Sequence, residues 1–113
     1  MKIRILVMNG QRLLQVEQSA EWVTEKVEKA GPVKPGIYNI HLAVTADKAK
    51  SHEGPLIYAN EDSVYQQVGK GFVKHDVTDF DKVPEMGSNA NIKYDGEKAL
   101  VSQVQNKLGR RIS

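Results

Sequence analysis

Apolar residues along this chain come in short runs that alternate with polar ones and are broken by turn signals. Ile3, Ile5 and Val7 lead up to Asn9-Gly10, and Leu14 and Val16 continue the alternation behind it. Asn-Gly supplies the two positive-φ residues of a type I′ turn, so a hairpin is predicted with Leu6 opposite Leu13, Ile5 opposite Leu14 and Ile3 opposite Val16. Ile3, Ile5, Val7, Leu14 and Val16 then share one apolar face. The other face mixes Arg4, Gln11 and Gln15 with Leu6, Met8 and Leu13, which predicts partial cover by a second layer.

Residues 21–30 carry two patterns at once. Trp22, Val23, Lys26, Val27 and Ala30 follow a helical period, while Val23, Glu25 and Val27 alternate as a strand would. The Glu and Lys content, Ser19 as a cap and the stop at Gly31-Pro32 favour a short helix. Pro35-Gly36 then turns the chain into a run over residues 37–44, where Tyr38, Ile40 and Leu42 alternate with Asn39 and His41. Residues 46–55 lack periodicity and read as an exposed loop, with Lys48, Lys50 and His52 on its solvated face.

Short apolar runs at 56–59, 63–68 and 72–75, separated by Asn60-Glu61-Asp62 and Gly69-Lys70-Gly71, predict a meander. Thr78 and Asp81 have capping-box spacing ahead of Pro84, which predicts one helical turn at 79–83. Asp95-Gly96 predicts a last hairpin, with Ala90, Ile92 and Tyr94 facing Val101, Ala99 and Glu97. The expected fold is therefore mainly β (α+β): a small twisted antiparallel sheet or partly closed barrel of about six to eight hairpin-built strands, with one short helix and a helical turn.

Composition narrows the setting more than the function. A chain of 113 residues, 40% hydrophobic and 27% charged, is expected to form a single domain: an N-terminal hairpin and short helix over 1–30, a main region over 34–102 and a basic tail over 103–113. A net charge of +2 permits contact with nucleic acid without marking a dedicated DNA-binding domain. The sequence has no cysteine, so disulfides and thiolate chemistry are excluded. The apolar run from Ile3 to Met8 is too short for a signal peptide or a membrane span, so a cytoplasmic location is expected.

Candidate chemistry is sparse. His41, His52 and His75 lack the spacing of a metal site, and no serine sits in a nucleophile elbow. Adjacent His52-Glu53 and His75-Asp76 point to opposite faces if they lie in strands. Gly69-Lys70-Gly71 lacks the rest of a phosphate-loop pattern and reads as a tight turn. No cofactor, metal or small-molecule substrate is indicated. What is left is recognition: Tyr65, Gln66, Gln67, Lys70, Lys74 and His75 could present a ring, two amides and several cations, with Arg110 and Arg111 as a basic arm.

The stretches Lys34-Pro35-Gly36-Ile37-Tyr38-Asn39-Ile40, His52-Glu53-Gly54, Val64-Tyr65-Gln66-Gln67-Val68-Gly69-Lys70, Phe72-Val73-Lys74-His75 and Phe80-Asp81-Lys82-Val83-Pro84 together resemble the KfrB-type domain of conjugative plasmids and integrative elements. The resemblance implies a setting in plasmid maintenance or conjugative transfer and brings no active site with it. The expected role is a non-enzymatic accessory protein that binds DNA or a DNA-processing protein. The alternative is a small inhibitor of a host defence system, of the anti-restriction or anti-CRISPR type, acting by protein–protein binding. Oligomeric state is left open.

Overall fold

Asn9 and Gly10 adopt φ values of 53° and 75°, and they fold β1 (Ile3–Met8) back onto β2 (Gln11–Gln18) in the register read from the sequence, Leu6 opposite Leu13 and Ile3 opposite Val16. The computed structural model describes residues 2–103. In it, β3 (Glu21–Lys29) and β4 (Gly36–Tyr38) flank that hairpin to give a four-stranded sheet ordered β3-β2-β1-β4. Six further strands form the second sheet: β5 (Val44–Thr45), β6 (His52–Ala59), β7 (Ser63–Val68), β8 (Gly71–Asp76), β9 (Asn89–Asp95) and β10 (Lys98–Gln103), ordered β10-β9-β6-β7-β8-β5. All pairings are antiparallel except β5 on β8, which is parallel. Both sheets are open, so the mainly-β expectation stands and the partly closed barrel does not.

The predicted helix at 21–30 is instead strand β3. Ser19 and Ala20 take φ values of 50° and 65°, the two left-handed positions of a primed turn, although neither is a glycine or asparagine. The β2–β3 register then slips at Leu14/Gln15, leaving Glu25 as an extra residue in β3. This bulge resets the alternation: Val23 lies opposite Val16 on the inner face, whereas Val27 lies opposite Leu13 on the outer face. A strand interrupted in this way places its apolar residues at spacings that imitate a helix.

Other boundaries shift for local reasons. The predicted run at 37–44 is split by a 3-10 turn, Ile40–Leu42, that still buries Tyr38 and Ile40. The helical turn sits at Val77–Asp79 rather than 79–83, because Asp76 caps it by accepting from the Thr78 amide at 2.9 Å. Strand β6 begins inside the predicted loop at His52, which is buried. The last hairpin pairs Ala99 with Tyr94 and Val101 with Ile92, two residues away from the predicted register, with Gly96 first in the loop. A slip of two preserves the faces, so Ala90, Ile92 and Tyr94 still share one with Ala99 and Val101.

Two apolar clusters lie on opposite sides of the second sheet. Between the sheets, Ile5, Val7 and Tyr38 meet Ile57 and Tyr58. Beyond it, Leu56, Val64, Ala90 and Ile92 are covered by Phe80, Val77 and Val83. A register shift at Ile57 lets β6 serve both, sending Leu56 to one cluster and Ile57 and Tyr58 to the other. Arg12 ties the sheets together, donating Nη1–H to the Ile57 carbonyl at 3.0 Å. Among the described residues no helix is long and apolar enough to cross a membrane.

The outer face of the first sheet differs from expectation. Ile37, Leu6, Leu13 and Val27 are cross-strand neighbours and form one apolar row over all four strands. Its ends are open among the described residues, with Ile37 55% and Val27 53% exposed and the adjacent Met8 43%, while Leu6 and Leu13 between them are half-buried.

Candidate functional site

Strand alternation divides the predicted recognition residues into two groups. On β7, Tyr65 and Gln67 point one way and Gln66 the other; on β8, Lys74 lies opposite Tyr65 and His75 opposite Val64. Gln66 and His75 are 0% and 1% exposed, so neither belongs to a surface. The sequence held a clue, because Gln66 alternates with Val64 and Val68, and His75 with Val73, which places both polar residues in an inward-facing apolar series. Tyr65 is half-buried against Tyr58, with ring centroids 6.4 Å apart, and burial pushes its hydroxyl pKa up. Gln67 lines a cleft of about 370 Å³ at the junction of the sheets, with Lys34, Tyr38 and Asn89. Lys74 is partly buried and Lys70 is exposed at the β7–β8 turn. Arg110 and Arg111 lie outside the described residues.

The buried polar residues form a network that sequence reasoning missed. The Gln66 side-chain amide donates towards three strand carbonyls, Ala90 at 2.9 Å, Gly54 at 3.0 Å and His52 at 3.2 Å, which joins β7 to β6 and β9. Only the NH₂ end can face three acceptors, so Oε1 faces His75 Nε2 at 2.8 Å and accepts a hydrogen bond from its N–H. His75 Nδ1 is then the acceptor for the Tyr94 hydroxyl at 2.7 Å. The protonation states agree with this assignment. Burial, with His52 nearby, holds the His75 imidazole down to about 4, and burial raises the Tyr94 phenol to about 12.

His52 completes the cluster. Its ring lies edge-on to His75 at 5.3 Å, and Nε2 donates to the Asp47 carbonyl at 2.9 Å. The Phe80 ring also lies edge-on to His75, at 5.9 Å. Outside, Lys48 lies over the Tyr94 ring and pairs with Glu97 at 3.1 Å and Asp79 at 3.4 Å. Gly54 is needed where it stands, since a Cβ there would run into the Gln67 backbone carbonyl. Both ring nitrogens of His75 are occupied by neighbours, and its imidazole is shielded from water. No group of three or more His, Asp or Glu side chains among the described residues could hold a metal ion.

Fold and cluster together define a small two-sheet β protein whose motif residues knit its interior. Residues 51–103 match the KfrB Domain. The chain is also 32% identical over 106 residues to Protein TraB of Escherichia coli, an alignment that takes in 90% of this chain and 73% of that protein. This protein therefore belongs to the KfrB-type family of conjugative plasmids and integrative elements. The matched segment starts at residue 51, so the 34–40 stretch lies outside it, whereas His52, Gly54, Gln66, His75 and Phe80 lie within it.

Proposed function

We propose that this protein is a non-enzymatic, cytoplasmic accessory factor of a plasmid or related mobile element, acting by binding DNA or a DNA-processing protein. Family membership supplies the setting. The observation that carries the mode of action is the closure of the His52–Gln66–His75–Tyr94 cluster. Its imidazole and amide groups are taken up by one another and by backbone carbonyls, so the densest polar chemistry in the fold serves architecture. Work on a partner falls to the surface.

For the DNA branch the contact surface is Tyr65, Gln67, Lys70 and Lys74, supported by their place on the single β7–β8 hairpin and by the fact that neither lysine pairs with a carboxylate among the described residues. Fluorescence anisotropy with labelled single- and double-stranded DNA tests it. With about two phosphate contacts, one for each lysine, affinity should fall on the order of tenfold between about 50 and about 200 mM salt. The double variant Lys70→Glu/Lys74→Glu should flatten that dependence. Absence of binding to either DNA at the lower salt would remove the DNA branch. The inhibitor reading has one observation in its favour, the apolar row on the first sheet with its exposed ends.

A further inference from the structure

The apolar row, exposed at Ile37 and Val27 and half-buried at Leu6 and Leu13, is not a scatter of single side chains. Ile37, Leu6, Leu13 and Val27 sit on four adjacent strands in strict cross-strand register, which at the usual strand spacing makes a band about 14 Å long. Its last member is there only because the Glu25 bulge turns Val27 outward. Cations border it on both sides. Lys29 follows Val27 and lies opposite Gln11, and Arg4 lies opposite Gln15, where it donates Nε–H to the Gln15 side chain at 2.8 Å and stacks over Trp22 at 4.1 Å. Among the described residues no carboxylate lies within ion-pairing distance of Arg4 or Lys29.

From this arrangement we infer that the outer face of the first sheet docks an acidic amphipathic helix of a protein partner. The band matches the apolar stripe of about three helical turns, and acidic residues flanking such a stripe would meet Arg4 and Lys29. Charge argues against a second copy of this chain as occupant, since face-to-face packing would bring the same cations together. A lipid surface fits less well. The side chains offer a band one residue wide across the strands, bordered by polar residues such as Gln11 and Gln15, without the continuous apolar face by which helices insert into a bilayer.

This inference rests on the protein-binding branch of the proposed function and is independent of Lys70 and Lys74. Trp22 is the sole tryptophan of the chain and lies on this face, so its emission reports occupancy. The full chain would be titrated with a designed helical peptide carrying a leucine stripe flanked by glutamates, and with its twin in which lysines replace the glutamates. The acidic peptide should bind about tenfold more tightly than its twin, the effect of a few exposed ion pairs. Val27→Lys and Ile37→Lys, both at exposed positions, should abolish binding while circular dichroism and thermal melting show an intact fold.

Several outcomes would overturn the inference. They are equal affinity for the two peptides, no binding of the acidic one, or binding indifferent to Val27→Lys and Ile37→Lys. Self-association abolished by Val27→Lys would identify a second copy as the occupant. Binding to anionic vesicles in place of the acidic peptide would identify a membrane. Peptide binding seen only after residues 104–113 are removed would identify the chain's own C-terminus. Loss of DNA binding in the Lys70→Glu/Lys74→Glu variant leaves every one of these readings unchanged.

Discussion

His75 shows how one buried side chain sets the chemical character of the interior. Its imidazole is held near 4 against an ordinary 6.5, mainly by burial, so as pH falls the unfolded chain takes up a proton before the folded one does. The stabilising contribution is complete above about pH 6.5, declines towards pH 4 and is gone below it. The Asp76 carboxyl, held below its ordinary 3.8 by Thr78, acts only further into acid. Urea midpoints measured across that window should fall with pH in the native chain and stay flatter in His75→Phe. The variant should also lose about 2 kcal/mol or more at neutral pH, because Gln66 Oε1 and the Tyr94 hydroxyl lose their partner. At this scale the sequence singles out Gln66 and His75 but assigns them to the surface, and it passes over His52 and Tyr94 as members of the cluster. Tyr65-Gln66-Gln67 reads as a polar cluster until strand parity separates Gln66 from its neighbours, and hydropathy gives a buried, fully bonded glutamine no mark of its own.

Among the elements, those with explicit turn chemistry were legible and those without it were not. Asn9-Gly10 gave its hairpin to the residue, and the glycine of Asp95-Gly96 gave the right faces with the register two residues off. Ser19-Ala20 carries no such signal, since a serine and an alanine in left-handed conformation are held there by the pairing of β2 with β3. The bulge at Glu25 then removed the alternation that would have identified the strand. That conformation costs an L-residue about 1–2 kcal/mol. Ser19→Asn/Ala20→Gly should therefore stabilise the protein by about 1 kcal/mol and raise the melting temperature by about 4 °C or more. Unchanged or lower melting would mean that the serine and alanine side chains make compensating contacts.

For the whole molecule, the two sheets share one apolar interface and are joined by a long reach, Arg12 to the Ile57 carbonyl. The four-stranded sheet follows the chain through β1–β2 and β2–β3, and β7–β8 and β9–β10 are likewise local pairings. β6 is different, because its partner β9 arrives only after β7 and β8, with His52 opposite Ile92. The two-sheet division escaped the sequence for this reason: nothing local encodes the β6–β9 pairing. The Gln66 amide binds carbonyls on both of those strands, and that placement has a kinetic consequence. Hairpins form in microseconds, whereas a pairing this distant must first close a long loop, so the Gln66 contacts belong to the late part of folding. Gln66→Leu should leave the refolding rate nearly unchanged and speed unfolding on the order of tenfold or more in stopped-flow chevrons. A slowed refolding limb would instead place closure of β6 on β9 before the barrier. With its contacts made after the barrier, the motif glutamine governs how long the native state lasts, since the lifetime of a folded chain is set by its unfolding rate.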